Sequence, residues 1–537
     1  MERIITRIFF IIIFLVYSNV IGQNNSKPYI NKSLIEIDLS NQAIEDSLIG
    51  FGAMSMSCNK LNIASKLIVD SVAISWLLTH NIPFLILNQN LEDVINKEME
   101  AIQLLKDKKS LNWYGVYRDL DEIEEKINDI VTQNQEANLI TKSVIGQSFE
   151  GRDIWAIKLG STDNANQNKP SILINSCQHA REWVTPMATT YLIDKLSQQY
   201  YIDQNINNLL NQLDIYIVPI VNPDGYIHTW EEDRWWRKNR QINNDNECVG
   251  TDLNRNWGID WNGGESTSEN PCSDIYVGSS PFSAPEAELL SDFISSIPNL
   301  VSHIDVHSYS ALIVGPWGYT DEQTEDNDEI FCLGTKMQSA VSNTNNYPYV
   351  FGTGTVNEML YLVSGGMVDW VYGSFPALSF LYELRPANLY YFDANFDGLA
   401  AFDNLEEDII LACEEFYQGA LKMFEWAYID SCELPSGCSD PEANNYYCDT
   451  ELGNMGCLYN IDFMTPPLPN GSYSLIDYSL PLGFIDDGSC IYNNNLIFNS
   501  SIKKNIKILD VLGRNNVQNR FKIYLYDDGT AEKIFSY

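Results

Sequence analysis

Between Asn112 and about Ala427 the sequence alternates two textures, and this alternation limits the fold more than any other feature of the chain. Short apolar runs such as "IWAIKLG", "SILINS", "LDIYIVPIVN", "VSHIDVHSY" and "ALSFLYEL" are separated by helix-like stretches such as "MATTYLIDKLSQQY" and "APEAELLSDFISSI". This order predicts an α/β domain over 112–427, built on a mixed, mostly parallel sheet flanked by helices, with functional loops at the strand ends. The whole chain has 537 residues, room for roughly three to four domains.

Outside this stretch the texture changes. The opening "MERIITRIFFIIIFLVYSNVIGQ" carries Arg3 and Arg7, then an apolar run from Ile8 to Val16, then permissive residues near Gly22. That is the pattern of a secretory signal peptide over 1–22, with an N-terminal membrane anchor as the alternative. Residues 28–109 run strand–helix–strand–helix and are read as a small α/β domain ending in the basic cluster Lys106, Lys108 and Lys109. The cluster suits a processing site, or simply a solvated linker. Residues 430–495 are Cys- and Asp-rich with turn residues throughout, and 496–537 alternates apolar and polar residues around a "DDG" turn, as a small β unit does.

Composition narrows the partners. Net charge is −39, from 72 acids against 33 bases, which opposes binding to nucleic acid or anionic lipid and favours a soluble exported protein. Of eleven cysteines, six crowd from Cys413 to Cys490; with export implied, disulfides outrank metal thiolates, and the odd total leaves at least one thiol free or paired outside the chain. Cys177, inside a strand-like run, is expected to be a free core cysteine.

The chemistry concentrates in "NSCQHAREWVTP" and "SHIDVHSYS". His179 and Glu182, three apart, are close enough to converge on one ion, but such a pair is equally an ordinary surface ion pair. His307 supplies a third candidate in a chain with only five histidines. Two His and one carboxylate leave a fourth position open, the pattern of catalytic rather than structural zinc. No H-E-x-x-H occurs.

H-x-x-E, "VNPDGY", "RWWRKNR", "GTDLNRNW", "HSYS", "YLVSGGMVDW" and "YELR" follow one another along the chain. In this order and spacing they resemble the zinc metallocarboxypeptidases of the carboxypeptidase A type, over Asn112–Ala427. Carboxypeptidase A is itself a type case of His₂Glu zinc binding, so the ligand rule and the resemblance are not independent. The resemblance implies one Zn²⁺ held by His179, Glu182 and His307, with Asp252 holding a ligand imidazole in its tautomer; a loop cap is the plain alternative for Asp252. It implies that Glu383 takes a proton from the attacking water and returns it to the leaving amine; the plain alternative is an ion pair with Arg385. Arg237 matches the cation that stabilises the oxyanion, and Asn254 with Arg255 the pair that grips the substrate's terminal carboxylate. Tyr361 matches the mobile tyrosine that closes over substrate. Arg181, Arg234, Ser308, Tyr309 and Phe392 fall on outer subsites, and Cys248 with Cys272 on a disulfide of the animal digestive members.

Val368 stands at the position that sets specificity, where basic-specific relatives carry an acid. Val314, Val356, Leu360, Val363 and Leu381 match the pocket wall, so Leu, Met or Phe are expected C-terminal residues, with Trp poor. Asp305 disturbs this reading. Strand alternation puts it on the face of His307; at the pocket floor it would admit Lys and Arg, and otherwise it is an Asp satisfied by neighbouring backbone donors.

The flanks carry weaker resemblances. Residues 28–109 are similar to the family's activation propeptide, which implies latency until an activating protease cuts near Lys106–Lys109; a folding aid or a retained accessory domain are alternatives. "GCSDPEANNYY" with "DDGSCIY" resembles modules near the ends of bacterial exported proteins. Its Asp486–Asp487 pair is open to Ca²⁺, although a tight turn is the commoner use. "KILDVLGR" with "IYLYDDGTAEK" resembles the C-terminal sorting domain of type IX secretion, which implies that machinery as partner and export across the outer membrane to a secreted or surface-attached form. The expected function is a secreted zinc metallocarboxypeptidase acting as a monomer on peptide or protein C-termini. One rival is a peptidoglycan-peptide-trimming carboxypeptidase, against which the intact Asn254 and Arg255 speak. The other is an inactive surface binding module, against which the complete set His179, Glu182, His307, Glu383 and Arg237 speaks.

Overall fold

Two sheets dominate the chain, one small and early, one large and central. The structure, a computed structural model, describes residues 29–39, 41–55, 65–108, 112–134, 138–161, 169–243, 248–264, 266–355, 362–386, 404–429 and 432, with short strands farther on. The early sheet is antiparallel in the order β2-β3-β1-β4, from β1 (Ser33–Ile37), β2 (Met54–Ser55), β3 (Ser65–Val69) and β4 (Phe84–Asn88). With it go α1 (Gln42–Gly50), α2 (Ser71–Thr79) and α3 (Leu91–Lys106). Asp70 starts α2 by accepting from the backbone N–H groups of Val72 and Ala73, both at 2.9 Å, which satisfies two donors that the first helical turn leaves open.

Leu91, Val94, Glu98, Ala101, Ile102 and Leu105 are the buried row of α3, at the three-and-four spacing of one helix face. Part of that row reaches beyond its own sheet. Tyr29, Leu34, Ile68, Leu91 and Val94 share a core with Trp235, while Ala101, Ile102 and Leu105 join the core of the central region.

The central region opens with α4 (Leu120–Gln133), entered through a reciprocal cap in which the Asp119 and Glu122 side chains each accept from the other's backbone N–H at 3.0 Å. Then come β5 (Ile140–Gln147), β6 (Asp153–Leu159), β7 (Ser171–Ser176), α5 (Val184–Gln199), α6 (Gln204–Gln212), β8 (Asp214–Val218), α7 (Pro223–Glu231), α8 (Pro285–Ser296), β9 (Leu300–Ser308), β10 (Leu312–Gly315), α9 (Asn327–Asn345), β11 (Val350–Thr355), α10 (Met367–Ser374), β12 (Leu378–Leu384) and α11 (Leu405–Ile429). The eight strands lie in the order β11-β10-β12-β9-β7-β8-β6-β5, and β8, β7, β9 and β12 form the parallel centre. Ile172, Ile174, Ile304, Val306, Phe380, Tyr382 and Leu384 belong to the apolar core that α5, α9 and α11 complete. Cutting fully buried Phe380 back to Ala would cost about 3–5 kcal/mol, from lost transfer energy and the cavity left behind.

Register decides what stands on the other face. Asn175 of β7 pairs with Asp305 of β9, which pairs with Leu381 of β12; His303 pairs with Ser379, and His307 pairs with Glu383. Because paired residues in a parallel ladder point the same way and alternate along the strand, all of these lie on one side of the sheet. The polar groups that a sequence must not scatter through a core are gathered there.

Cys248 is joined to Cys272, and Cys332 of α9 to Cys432 beyond α11. Cys177 and Cys413 are buried free thiols, so Cys413 stands apart from the disulfide-prone cluster in which the sequence places it. Farther on, Phe463–Met464 pairs with Leu475–Ile476. In a separate unit, Ser436–Gly437 pairs with Ile485–Asp486, and Asn505–Leu509, Phe521–Tyr526 and Ala531–Phe535 form an antiparallel sheet. The side chains of Asp486 and Asp487 lie outside the described residues. Among the described residues no helix is long and apolar enough to cross a membrane.

Candidate metal centre and active site

The carboxyl ends of β7, β9 and β12 converge, as open α/β sheets arrange their sites. Just past β7, Cys177 takes a left-handed backbone (φ 58°) that turns the chain off the strand, and His179 and Glu182 follow in the loop before α5. His307 is the next-to-last residue of β9 and Glu383 the next-to-last of β12. One ligand atom from each of His179, Glu182 and His307 lies within 4.8 Å of the others, and all three residues are buried.

The ring orientations follow from the contacts. His179 Nδ1 is 2.7 Å from Glu182 Oε1, and His307 Nδ1 is 3.0 Å from Glu182 Oε2 and 3.0 Å from His179 Nδ1. Two imidazole nitrogens this close repel through their lone pairs or their protons unless something positive lies between them. The donor set of two imidazoles and a carboxylate therefore fits a divalent cation, and it has the composition of a catalytic zinc site. Each ring turns its other nitrogen to an acid: His179 Nε2 is 3.1 Å from Asp252 Oδ1, and His307 Nε2 is 2.9 Å from Asp305 Oδ2. Burial alone would raise the carboxyls of Glu182 and Asp252. The two histidines beside Glu182, and Arg237 with His179 beside Asp252, hold both well below the ordinary carboxylate value.

Asp252 is a hub. Its Oδ2 accepts from Arg237 Nε at 3.1 Å and Nη2 at 3.0 Å, and its Oδ1 also accepts from the Asn254 backbone N–H at 3.1 Å. A ligand ring, a guanidinium and the start of the Leu253–Arg255 turn are thus fixed by one carboxylate. Glu383 faces this group from β12. Its Oε2 is buried and has no hydrogen-bond partner among the described residues. Burial lifts its pKa to about 8, with the Glu182 charge adding to the rise and His307 and Arg237 opposing it. Arg385, two residues on, does not pair with Glu383; it is 3.0 Å from Glu415 and 3.5 Å from Asp408.

Asn254 and Arg255 are buried beside the centre. Asn254 Oδ1 accepts from the Met367 backbone N–H at 2.9 Å, while its Nδ2 lies 3.3 Å from Asp305 Oδ2. Arg255 donates to Ser266 O at 2.9 Å and to Asn254 O at 2.7 Å, which anchors the guanidinium from behind. The first glycine of "SGGMVDW" is required here: Gly365 has φ +66°, and a Cβ on it would sit 2.5 Å from Arg255 O. Val368 follows at the start of α10, buried at 4 % exposure, and Val314 of β10 is paired with Leu381 of β12. Arg181 lies 3.4 Å from Trp235 O and 3.9 Å from Asp274. Arg234 forms a two-pronged ion pair with Glu98 of α3, at 2.8 and 3.1 Å, and its guanidinium lies 3.6 Å over the Trp183 ring. Tyr361, Val356, Leu360 and Phe392 lie outside the described residues.

Asp305 is fully buried, with a side-chain donor on each carboxylate oxygen. Asn175 Nδ2 donates to its Oδ1 at 2.7 Å, and Gln178 Nε2 donates to its Oδ2 at 2.7 Å beside the His307 ring. The donors are side chains rather than the backbone groups that the sequence suggested. The sequence signal for its true partner was its place two residues before His307 on the same strand face.

Fold and site together define a metal-dependent hydrolase with a buried carboxylate, Glu383, facing the candidate metal centre. The description "Zinc carboxypeptidase" matches residues 126–415, and the chain belongs to that family. It is a zinc-dependent metallocarboxypeptidase. Among its relatives it is 35% identical to carboxypeptidase B2 of Bos taurus over 313 residues, 58% of this chain and 72% of that protein, and 34% identical to carboxypeptidase A1 of Sus scrofa over 320 residues, 59% and 74%. The solved structure of thrombin activatable fibrinolysis inhibitor matches with a TM-score of 0.63 at 28% identity, covering 75% of this chain and all of that one. Carboxypeptidase A from Helicoverpa armigera gives 0.63 at 26%, covering 74% and 98%.

Proposed function

We propose that this chain is an exported precursor whose enzyme removes single apolar residues from the C-termini of peptides and proteins, with His179, Glu182 and His307 as zinc ligands and Glu383 as base. The observation that carries the reading is the Glu383 carboxylate, its Oε2 buried without a partner among the described residues, standing in register with His307 beside three convergent candidate ligands. Zinc at those ligands supplies a cation that polarises the scissile carbonyl and makes water a stronger acid near neutral pH. Glu383, held in a water-poor site with a raised proton affinity, accepts the proton of the attacking water and delivers it to the leaving amine. Arg237, clamped by Asp252, presents a fixed positive charge where the carbonyl oxygen becomes anionic. Arg255 and Asn254 take the terminal carboxylate, which an internal peptide bond lacks, so cleavage is confined to the last residue. Val368, Val314, Val363 and Leu381 offer the departing side chain apolar surface without a counter-charge, and favour Leu, Met or Phe.

The N-terminal unit is proposed as an inhibitory propeptide. Its support is threefold. Trp235, between Arg234 and Arg237, is buried in the core of that unit; Glu98 occupies Arg234; and Tyr29 donates a hydrogen bond to Asp233. The match to the structure titled as thrombin activatable covers 75% of this chain, more than the 316 residues (59%) from 112 to 427. Lys106 is engaged by Glu122 and Asp119, which favours cleavage at the following residues, Lys108 to Ser110. Export by the signal peptide and a type IX-like route remains part of the proposal, resting on the end segments.

The test is release of the last residue from blocked peptides ending in Leu, Phe, Trp, Lys and amidated Phe, by the full chain before and after limited proteolysis, with and without chelator. Chelator-sensitive release of Leu and Phe, little of Trp or Lys and none from the amide is the expected result; Glu383→Gln should lose roughly 10²–10⁴ in rate while keeping its zinc. Trp released faster than Leu would refute the pocket reading. No release by zinc-loaded protein would turn attention to a cell-wall peptide or a binding module.

A further inference from the structure

Both histidines of the centre lean on a buried carboxylate, yet the two carboxylates are differently placed. Asp252 shares its charge with the Arg237 guanidinium. Asp305, fully buried, has no Lys or Arg paired with it among the described residues; its oxygens meet the amides of Asn175, Gln178 and Asn254 and the ring of His307.

The amides are themselves fixed. Ionised Asp305 can only accept, so Asn175 turns its NH₂ to it; Asn175 Oδ1 then accepts from His303 Nε2 at 2.7 Å, which leaves His303 Nδ1 to accept from Ser379 Oγ at 2.8 Å. Trp257 Nε1 donates to Gln178 Oε1 at 3.3 Å, which orients that amide in the same way. The register row described above makes this inevitable: Asn175 and Asp305 are paired, and His303 and Ser379 are paired one step back on the same face. The chain that runs from Ser379 through His303 and Asn175 ends with the Asp305 carboxylate on His307 Nε2 at 2.9 Å, a nitrogen that Asn254 Nδ2 also approaches at 3.0 Å.

We infer that Asp305 is a positioning residue for the metal ligand His307: it holds the proton on Nε2, aims Nδ1 at the ion, and makes that nitrogen the stronger donor of the two rings, since no guanidinium dilutes its charge. The inference rests on the reading of His307 as a zinc ligand. Orienting partners of this kind govern affinity for the metal as much as rate. An amide at this position would set a fourth NH₂ among three donors, so even the closest isostere breaks the arrangement.

The experiment uses the full chain, wild type and with Asp305→Asn or Asp305→Ser, and measures zinc dissociation by competition with a chromophoric chelator alongside thermal unfolding of the metal-free forms. Zinc affinity should fall about 10–100-fold in the variants, beyond any change in metal-free stability. Affinity within twofold of wild type, or a loss that only tracks metal-free stability, overturns the inference. Wild-type protein labelled with nitrogen-15 in its five histidines gives a reading that needs no variant to fold. Zinc-loaded His307 should carry its proton on Nε2; a proton on Nδ1 overturns the inference. Wild type that holds no zinc would instead remove the reading of the centre itself, so the two failures are distinguishable.

Discussion

Glu98 is the one charged residue in the buried row of α3, and replacing it by Ala should unlatch the N-terminal unit. Its carboxylate and the Arg234 guanidinium meet at 2.8 and 3.1 Å with side-chain exposures of 3 % and 6 %. Deleting one member of such a pair leaves a buried charge uncompensated, at a cost of about 3–5 kcal/mol. Arg234 keeps the Arg181 carbonyl at 3.0 Å and the Trp183 face, which places the cost near the lower end of that range. About 3 kcal/mol is roughly two decades in the ratio of docked to undocked forms, at about 1.4 kcal/mol per decade. The assay is hydrolysis of a blocked Leu- or Phe-terminated peptide by intact, uncleaved chain, with the rate of proteolytic cutting at Lys108 to Ser110 followed in parallel. Glu98→Ala should raise basal turnover by up to about 100-fold and speed the cut, while cleaved wild type and variant, both freed of Glu98, run at the same rate. Intact Glu98→Ala as silent and as slowly cut as wild type would refute the reasoning, because the pair would then not be what holds the units together.

Three other outcomes are expected. Burial lifts the pKa of Asp369, which accepts from the Gly318 backbone N–H, from 3.8 to about 7. The folded state thus binds this proton more tightly than the unfolded state, so the stabilisation is complete below about pH 4 and lost as pH rises through 7. Asp369→Asn should flatten that fall in denaturant midpoints between about pH 4 and 7, worth at most about 4 kcal/mol. Val368→Asp should shift the ratio of Lys to Leu release in kcat/KM by about tenfold or more, since close charge pairs couple by about 1.5 kcal/mol or more; an unchanged ratio would show that residue 368 does not face the departing side chain. Cys332→Ser opens a bridge spanning 100 residues and should cost up to about 4.7 kcal/mol in thermal or denaturant unfolding. Chains truncated before Cys432 should show the same loss.

The sequence exposes the ladder better than it exposes depth. Alternation along "SHIDVHSYS" correctly puts Asp305 and His307 on one face, but a face is shared by everything from the pocket to the core, and only strand register shows that Asn175 and Gln178 already fill the Asp305 carboxylate. The candidate metal ligands were legible because the motifs mark them one by one, His179 and Glu182 in the loop past β7 and His307 near the end of β9. Arg385 illustrates the opposite case: adjacency in the chain offers Glu383 as its partner, yet Arg385 lies past the end of β12 and meets Glu415 of α11 instead. Glu98 left a signal that went unread, a charge inside an otherwise apolar helical row, which has to find a cation elsewhere. The Cys332–Cys432 pairing depends on how α9 and α11 dock, and spacing does not encode that. Tyr361, Val356 and Leu360 fall outside the described residues.

The bridge at Cys432 has a mechanical meaning as well. It lies a few residues beyond the last helix of the enzyme and ties the departing chain sideways to α9. A pull on anything attached farther along, whether from a secretion channel, a surface tether or a protease tugging at its substrate, arrives first at a covalent knot. The load passes into two packed helices from the side instead of peeling α11 from its end, residue by residue. Because α11 covers the strands that carry His307 and Glu383, that knot separates the fate of the tail from the geometry of the catalytic centre.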